Sequence, residues 1–387
     1  MAELLLKKGY TVYGMIRRLS SPNTRNITHI MDQINLIDGD MTDQSSLITA
    51  LMESRPDEIY NLAAQSFVGT SFRQPVLTAD VNGLGVVRLL DAARSTVPDA
   101  KVYQASTSEL FGKASQTPQS EMTPFYPRSP YGVAKVFAYW ACVNYRESYG
   151  MYVSNGILFN HESPRRGMEF VTRRITDGVA RIHNKLAKQI TLGNLDAKRD
   201  WGYAPEYVEA MWKLMQEDEP GDFVIATGET YSVRDFLRLS FAEVGIEDYE
   251  PYVKVDEKLL RPADVHTLCG DPSKAEKTFG WKAKTKVPEL VKIMVNADLE
   301  RVKDEMHRRW AAWSPHYSLS WPCGVPHGGV TPCYSMTHFS KPSTLFLSSG
   351  RSARDLAIHF SMNSMSFRIA LSVFASSFMI DTLKRFH

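Results

Sequence analysis

The sequence has few cysteines, and none of them stands in a spacing typical of a metal or redox site. The four are Cys142, Cys269, Cys323 and Cys333, with no Cys-x-x-Cys pair among them. Zinc sites and disulfide scaffolds need closer or more numerous cysteines than these. The pattern therefore disfavours a secreted, disulfide-stapled protein and favours a reducing, cytoplasmic compartment.

Long apolar runs and an excess of either charge are also missing. The longest uncharged apolar run, 369–380, is interrupted by serines and is shorter than the about 20 residues that a membrane span needs. The N-terminus has only Leu4–Leu6 before two lysines, which does not predict a signal peptide. The 45 Lys and Arg residues against 43 Asp and Glu residues leave a net charge of +2. We therefore predict no membrane partner and no nucleic-acid partner.

A glycine-rich phosphate-binding loop is missing as well. A dinucleotide-binding fold opens with a strand, a glycine-rich turn and a helix, whereas Ala2–Gly9 is typical of the second half of a helix. The pair Gly83 and Gly85 lies in a helical pattern without a third glycine at the required offset, and no Gly-Lys-Ser/Thr motif occurs. We expect a sheet that lacks its first strand and leaves two neighbouring strands with unpaired edges.

Up to about residue 310, short apolar runs alternate with amphipathic stretches. This alternation predicts βαβ units, and hence an α/β protein with a Rossmann-like, doubly wound parallel sheet. The 387 residues suggest two lobes, with a smaller α/β lobe from about residue 161. Residues 311–387 contain 15 serines and no glutamate, and they predict an irregular or disordered tail. The predicted strands are Tyr10–Arg17, Ile34–Asp38, Glu58–Ala63, Lys101–Ala105, Val153–Phe159 and Phe223–Thr227, and the predicted helices are Ser45–Ser54, Pro75–Arg94, Tyr131–Tyr149 and Arg173–Asn184.

Tyr131 and Lys135 are the strongest local signal for chemistry. Four residues apart, they lie one turn apart on the same face of a predicted helix. An ammonium beside a phenol favours the phenolate and predicts that the pKa of Tyr131 is lowered from about 10 toward neutrality. Such a phenolate can act as a general base on a sugar hydroxyl. The same spacing also occurs on ordinary solvated helix faces, so the pair does not decide the function by itself.

A hydroxyl cluster and a carboxylate, Ser106–Glu109, follow the predicted strand Lys101–Ala105. The carboxyl ends of parallel strands face the ligand crevice, toward which Tyr131 and Lys135 would also point. Glu109 is therefore a candidate proton carrier. The serines and threonine are also typical of a helix cap, and both interpretations can hold together.

Four segments carry a resemblance to a known family: Tyr103–Glu109, Thr123–Lys135, Gly156–Gly167 and Leu192–Gly202. They resemble the GDP-mannose 4,6-dehydratase family, which belongs to the extended short-chain dehydrogenase/reductase group of nucleotide-sugar enzymes. The resemblance extends from residue 1 to about 309 and leaves out the tail. It implies the conversion of GDP-mannose to GDP-4-keto-6-deoxy-mannose and water, on the way to deoxysugars such as GDP-fucose.

The resemblance also implies catalytic roles. Thr107 and Tyr131 would contact the sugar 4-hydroxyl, with Tyr131 as the base and Lys135 lowering its pKa and holding the cofactor ribose. Glu109 would take the C5 proton and help to expel the C6 hydroxyl. NADP would accept a hydride from C4 and return it to C6. These roles agree chemically, because oxidation at C4 acidifies the C5 proton so that one carboxylate can remove it.

Cofactor and substrate contacts follow from the same resemblance. Residues 1–160 would bind NADP, residues 161–310 would mainly bind the GDP-sugar, and the chain would form a homo-oligomer, a dimer or a tetramer. The implied cofactor residues are Arg17, Arg18, Ser20, Asp40, Met41, Leu62, Ala63, Ala64, Gln65, Ser66, Lys135, His161 and Arg166, and the implied substrate residues are Asn160, Arg199 and Arg261.

Two of these groups can be judged from their chemistry. The arginine pair Arg17 and Arg18 after a strand suits the 2′-phosphate of NADP, although alone it could be a solvated basic edge. His161 and Glu162 lack the second histidine of a His-Glu-x-x-His zinc motif, so we predict no metal.

The sequence departs from the family pattern at several positions. The glycine-rich loop is absent, Leu77 replaces a cofactor-contacting tyrosine, Leu19 interrupts an Arg-Arg-Ser-Ser run, and Arg174 replaces a lysine. The leading interpretation is the dehydratase. The missing loop favours a second one, a catalytically silent remnant that binds nucleotide sugars or associates with other subunits. The third interpretation is a sibling nucleotide-sugar epimerase or dehydratase. The segment Asn160–Gly167 disfavours it, because that segment resembles the GDP-mannose enzyme specifically.

Overall fold

The computed structural model describes residues 1–263 and 265–313, with side chains up to Arg309. The predicted tail, 311–387, lies outside the described residues except for the backbone of 311–313. The strands are β1 (Tyr13–Ile16), β2 (Asn35–Asp38), β3 (Glu58–Asn61), β4 (Lys101–Ala105), β5 (Val153–Leu158), β6 (Asn160–Glu162), β7 (Ile190–Leu192), β8 (Lys198–Arg199), β9 (Trp201–Tyr203), β10 (Asp222–Ile225), β11 (Tyr231–Ser232) and β12 (Val253–Val255). The helices are α1 (Ala2–Lys7), α2 (Gln44–Ser54), α3 (Val68–Ser71), α4 (Pro75–Ala79), α5 (Gly85–Thr96), α6 (Pro130–Tyr149), α7 (Val171–His183), α8 (Ala204–Met215), α9 (Val233–Ala242), α10 (Ser273–Phe279) and α11 (Val287–Trp313).

The parallel sheet is present, and it is divided into two pieces. One piece has four parallel strands in the order β10-β5-β4-β3, and the other is the parallel pair β1-β2. In the part of the chain that the structure describes, no strand pairs with the remaining edge of β1 or of β3. The prediction of a parallel α/β sheet with two unpaired neighbouring edges is therefore confirmed.

The hydrogen-bond pattern identifies the backbone groups on these two edges. The carbonyl of Val12, just before β1, accepts a hydrogen bond from β2. Because parallel ladders alternate sides, the N–H and C=O groups of Tyr13 and Met15 point away from β2. By the same alternation, those of Glu58 and Tyr60 point away from β4. The side chains of Tyr13 and Met15 are 43% and 38% exposed, which is high for strands of a sheet covered by helices.

Helices cover both faces of the four-stranded piece. Successive strand residues point to opposite faces, and β4 shows the result clearly. Val102 belongs to the buried cluster that contains Leu90 of α5 and Ala138 of α6. Its neighbour Tyr103 belongs to a different cluster, formed largely by α8. This two-sided covering is the doubly wound arrangement that the alternating sequence pattern predicted.

Helices α7, α9 and α11 enclose a separate buried cluster, which includes Val179, Phe236, Leu290 and Met294. Short strand pairs connect this part of the fold: β6 with β9, β7 with β12 and β8 with β11. Among the described residues, no helix is both long enough and apolar enough to cross a membrane.

The prediction of a single continuous helix over Pro75–Arg94 is wrong in one respect. Residues Asp80–Leu84 are π-helical and separate α4 from α5. Two close contacts accompany the wider turn. A Cβ atom at Gly83 would lie 3.1 Å from the Phe137 ring, and one at Gly85 would lie 2.9 Å from Cβ of Met41. The glycines therefore let this turn pack directly against its neighbours, which a periodicity of hydrophobic residues does not reveal.

Candidate active site

A cavity of about 510 Å³ lies at the carboxyl ends of β4 and β5 and beside the start of α7. Ligand sites of open α/β sheets lie at this edge. The cavity brings together the four predicted catalytic residues and eight of the predicted binding residues: Thr107, Glu109, Tyr131 and Lys135, with Leu62, Ala64, Ser66, Asn160, His161, Arg166, Arg199 and Arg261.

The segment after β4 forms one wall of the cavity. Thr107 caps a short 3-10 helix, since its Oγ1 accepts a hydrogen bond from the Glu109 N–H at 3.3 Å. The cap interpretation is therefore confirmed for Thr107, and the segment also lines the cavity. Ser106 Oγ is buried in the same wall and has no partner among the described residues. An orphaned hydroxyl at a cavity wall is free to bind a ligand.

Helix α6 brings Tyr131 and Lys135 against this wall. Ser129 caps the helix by accepting a hydrogen bond from the Gly132 N–H at 3.0 Å. A Cβ atom at Gly132 would lie 2.9 Å from the Glu109 carbonyl oxygen, so only glycine permits this close approach. Lys135 Nζ then reaches the carbonyl of Ala105 at the end of β4, at 2.8 Å. The Tyr-Gly-x-x-Lys pattern thus fixes the distance between helix and strand as well as supplying two functional groups.

The prediction for the pKa of Tyr131 is wrong in direction for this structure. Burial raises the pKa of Tyr131 to about 12, and the charge of Glu109 adds to that effect. A hydrogen bond with Thr107 and the charge of Arg166 act in the opposite direction. Lys135 Nζ lies 6.0 Å from the centre of the Tyr131 ring. The spacing of a tyrosine and a lysine in a sequence does not reveal how much water the phenol loses on folding.

Lys135 and His161 are also shifted by burial. The pKa of Lys135 is lowered to about 8 because its ammonium is desolvated. Desolvation lowers the pKa of His161 too, so the ring is neutral at pH 7, with Nδ1 2.9 Å from the Phe159 carbonyl and the ring stacked on Tyr207. Among residues 1–263 and 265–313, no group of three His, Cys, Asp or Glu side chains could hold a metal ion.

The predicted substrate residues also line the cavity. Arg261 Nη1 lies 3.2 Å from Glu109 Oε1, so the guanidinium of a predicted substrate residue and the predicted proton carrier form an ion pair. Arg199 is buried and donates to the carbonyl of Val265 at 2.8 Å. Asn160 begins β6 and pairs with Trp201, the first residue of β9, which is two residues after Arg199.

Several predicted cofactor residues do not line the cavity. Arg17, Arg18 and Ser20 follow β1 and are exposed. The other four are held by local contacts: Asp40 accepts hydrogen bonds from Thr42, Met41 is buried beside α5, Ala63 packs on the same cluster, and the Gln65 N–H donates to Asn82 at 2.8 Å. Gln65 Oε1 is buried and has no hydrogen-bond partner in the described part of the chain.

Sequence reasoning missed two buried carboxylates near the site. Asp200 follows Arg199 and is fully buried, and Asp298 of α11 is fully buried as well. A signal for Asp298 was available, because it lies on an apolar stripe of α11 at spacings of three and four residues. The buried residues of that stripe are Leu290, Val291, Met294, Val295 and Val302. A carboxylate on a buried stripe must have a partner, since an unpaired buried charge is costly.

Comparison with known proteins gives the family. The model of the GDP-mannose 4,6 dehydratase family matches residues 1–294. GDP-mannose 4,6 dehydratase 2 of Caenorhabditis elegans is 54% identical over 325 residues, which cover 77% of this chain and 85% of that protein. The GDP-mannose 4,6 dehydratase of Homo sapiens is 50% identical over 329 residues, covering 78% of this chain and 88% of that protein.

Solved structures of more distant proteins share the fold. UDP-glucose 4-epimerase of Thermotoga maritima, solved with UDP-glucose, has a TM-score of 0.69 at 24% identity and covers 78% of this chain and 94% of its own. dTDP-glucose 4,6-dehydratase of Bacillus anthracis, solved with NAD, has a TM-score of 0.68 at 19% identity, with coverages of 78% and 93%. The Rossmann-like fold is thereby confirmed, and the match over residues 1–294 together with half-identical relatives shows that the chain belongs to the GDP-mannose 4,6-dehydratase family.

Proposed function

We propose that this chain converts GDP-mannose to GDP-4-keto-6-deoxy-mannose and water. The observation that carries the proposal is the convergence of Thr107, Glu109, Tyr131 and Lys135 on one cavity, in a chain of this family. A nicotinamide dinucleotide, when bound, supplies the hydride chemistry at C4 and C6.

The side chains supply the proton chemistry. Tyr131 takes the proton of the C4 hydroxyl, with Thr107 hydrogen-bonded to the phenol and Arg166 favouring the phenolate. Glu109 removes the C5 proton and gives a proton to the C6 hydroxyl, which leaves as water. Arg261 binds the diphosphate through charge-assisted hydrogen bonds.

The cavity wall supports a nicotinamide dinucleotide. Ser106 Oγ is a buried polar atom of this wall that has no partner among the described residues, and Lys135, which also lines the cavity, donates to the Ala105 carbonyl at the end of β4. These groups suit the nicotinamide and ribose side of such a cofactor.

We propose NADP in particular, because Arg17 and Arg18 are exposed after β1, where a 2′-phosphate would need them. Replacing both arginines with alanine should weaken NADP binding and leave NAD binding unchanged, as calorimetric titration would show.

The decisive experiment is turnover of GDP-mannose by the purified chain with NADP, followed by NMR of the sugar product. Tyr131→Phe keeps the ring and removes the proton acceptor, so turnover should fall by about 10²–10⁴-fold while GDP-mannose binding persists. Tyr149→Phe is the matched control, because Tyr149 lies at the exposed end of the same helix and should leave turnover unchanged. Equal turnover in all three proteins would remove Tyr131 from the role of base.

A second candidate function, a silent nucleotide-sugar-binding remnant, is favoured by the edges of β1 and β3, which have no strand partner among the described residues. In a dinucleotide-binding fold, backbone N–H groups of the glycine-rich loop normally bind the pyrophosphate. This candidate predicts GDP-mannose binding without NADP binding. Micromolar NADP affinity in calorimetry would exclude it.

We also propose that the chain self-associates through α4 and α6. Val76, Val133, Phe137 and Trp140 are 80%, 57%, 49% and 56% exposed, and an apolar cavity of about 750 Å³ lies among these helices. A contiguous apolar patch of this kind marks an interface, and a second copy offers the same patch in return. Phe137→Lys should lower the mass measured by sedimentation, whereas an unchanged mass would exclude this face. A cytoplasmic location stays a prediction.

A further inference from the structure

Arg173 of α7 and Asp298 of α11 form a fully buried ion pair beside the cavity. Their side chains are 5% and 0% exposed. The contact is bidentate, with Nε 2.8 Å from Oδ2 and Nη2 2.7 Å from Oδ1. Asp298 also accepts hydrogen bonds from Thr176 Oγ1 at 2.7 Å and from Arg301 Nε at 3.0 Å. Both oxygens of the Asp298 carboxylate therefore accept hydrogen bonds, and the bidentate contact holds one edge of the Arg173 guanidinium against α11.

The other side of the same guanidinium holds the segment that joins β6 to α7, Ser163–Phe170. Arg173 Nη1 donates to the carbonyl of Pro164 and to that of Arg166, the latter at 3.2 Å. A planar guanidinium offers donors in a fixed fork, so Arg173 can bind a carboxylate and two backbone carbonyls at once. The segment has no helix or strand of its own. Arg173 therefore ties two main-chain groups of the segment to α11.

The segment carries Arg166 into the cavity. The Arg166 guanidinium lies 3.6 Å from the centre of the Phe170 ring, and its Nε lies 3.2 Å from Glu162 Oε2. The charged groups around the Tyr131 phenol are Glu109, Arg166 and, one turn along the helix, Lys135. Of the two cations, Arg166 is the one whose charge favours the phenolate in this structure. The ammonium of Lys135 is engaged with the carbonyl at the end of β4.

We propose that Arg173 and Asp298 are positioning residues for the reaction: they hold the segment Ser163–Phe170 so that the charge of Arg166 acts on Tyr131. Neither residue lines the cavity that contains Tyr131. The inference rests on the proposed function, because it takes Tyr131 as the base. It extends that function to a pair 125 residues apart in the sequence, which acts through the main chain of a third segment.

Arg173→Lys tests the proposal. Lysine keeps a cation for Asp298 and cannot reach the two carbonyls as well. In the ligand-free chain, the amides of 163–170 should exchange with deuterium about tenfold faster than in the parent. The matched control is Arg181→Lys, since Arg181 lies on the same helix and pairs with Glu305 of α11 without touching the segment. Exchange of 163–170 should stay unchanged in that control.

Kinetics separate positioning from a general loss of structure. With Tyr131 as the base, kcat should increase with pH as the phenol loses its proton. In Arg173→Lys this increase should move to higher pH, while KM for GDP-mannose should change little. In an Arg166→Met background the same substitution should add no further shift, because the charge that it displaces is already gone. The double variant Arg173→Met with Asp298→Leu replaces the pair by apolar groups, which folded proteins often tolerate; it should show the same fast exchange.

Two results would overturn the proposal: unchanged exchange of 163–170 in Arg173→Lys, or a pH shift that persists in full when Arg166 is methionine. Absence of turnover in the parent chain would instead contradict the proposed function. The exchange measurement needs no activity, so it still decides whether the pair holds the segment.

Discussion

Replacing Asp200 with asparagine should remove a pH dependence of stability that this buried carboxylate creates. Asp200 is fully buried, and desolvation raises its pKa from 3.8 to about 6 even though Thr227, Gly228 and Gly270 donate hydrogen bonds to it. The folded state therefore binds this proton more tightly than the unfolded state. The resulting stabilisation is complete below pH 3.8 and is lost as the pH rises through about 6.

The size of the effect follows from the same two values. The interval from 3.8 to about 6 corresponds to about 3 kcal/mol of unfolding free energy, at about 1.4 kcal/mol for each pKa unit. Asparagine has no charge to desolvate, and its Oδ1 can still accept from Thr227 N and Oγ1, which lie 2.9 and 2.7 Å from Asp200 Oδ1. Its Nδ2, however, would meet the N–H groups of Gly228 and Gly270, which costs about 1–3 kcal/mol for each unsatisfied donor. That cost is a constant offset, independent of pH.

The assay is urea unfolding of both proteins at a series of pH values, followed by circular dichroism. The unfolding free energy of the parent minus that of Asp200→Asn should fall by about 3 kcal/mol between pH 3.8 and 7. Asp196→Asn is the control for the same substitution at the surface, since Asp196 is 79% exposed in its pair with Arg234. Parallel curves for the parent and Asp200→Asn would refute the reasoning, because the carboxyl would then titrate alike in both states.

The remaining predictions concern the reaction, the sheet and a helix cap. Glu109→Gln should allow C4 oxidation and stop dehydration, and rapid exchange of the C5 hydrogen with solvent, followed by NMR, would show that another group carries this proton. Gly156→Ala should lower the melting temperature and the unfolding free energy by about 1–3 kcal/mol, because the new Cβ would lie 2.2 Å from the Tyr103 hydroxyl in a buried strand; an unchanged melting curve would contradict this. Ser232→Ala should cost about 1 kcal/mol by removing its reciprocal cap with Asp235, and equal urea midpoints would show that the cap is dispensable.

Local patterns in the sequence were sufficient to predict the main strands and helices around the candidate site. The predicted strand Lys101–Ala105 has the same bounds as β4, and the predicted helix Tyr131–Tyr149 differs from α6 by one residue. Alternating apolar residues and helix periodicity determine these elements locally. The same pattern also predicted at which edge of the sheet the candidate site lies, because parallel strands place their carboxyl ends together.

Non-local effects account for what the sequence did not reveal. The pairing of Arg173 with Asp298 joins two helices far apart in the chain, and neither residue carries a motif. The pairs of two- and three-residue strands, such as β8 with β11, have no periodicity to detect. The pKa of Tyr131 depends on how much water surrounds the phenol, which is a property of packing in three dimensions.

The divided sheet has a consequence for the way in which the chain loses its structure. In a continuous sheet, main-chain hydrogen bonds make neighbouring strands unfold together, and the residues that the structure describes form no such ladder between β1 and β3. Near the entry to β1, the Tyr10 hydroxyl donates to Glu58 Oε1 at 3.2 Å and accepts from Trp212 Nε1 at 3.0 Å, so side chains rather than main chain link the two pieces there. The pair β1–β2 can therefore open as a unit of its own while β3, β4, β5 and β10 remain folded. Local opening of that unit would release Arg17 and Arg18 from their place before the main sheet unfolds.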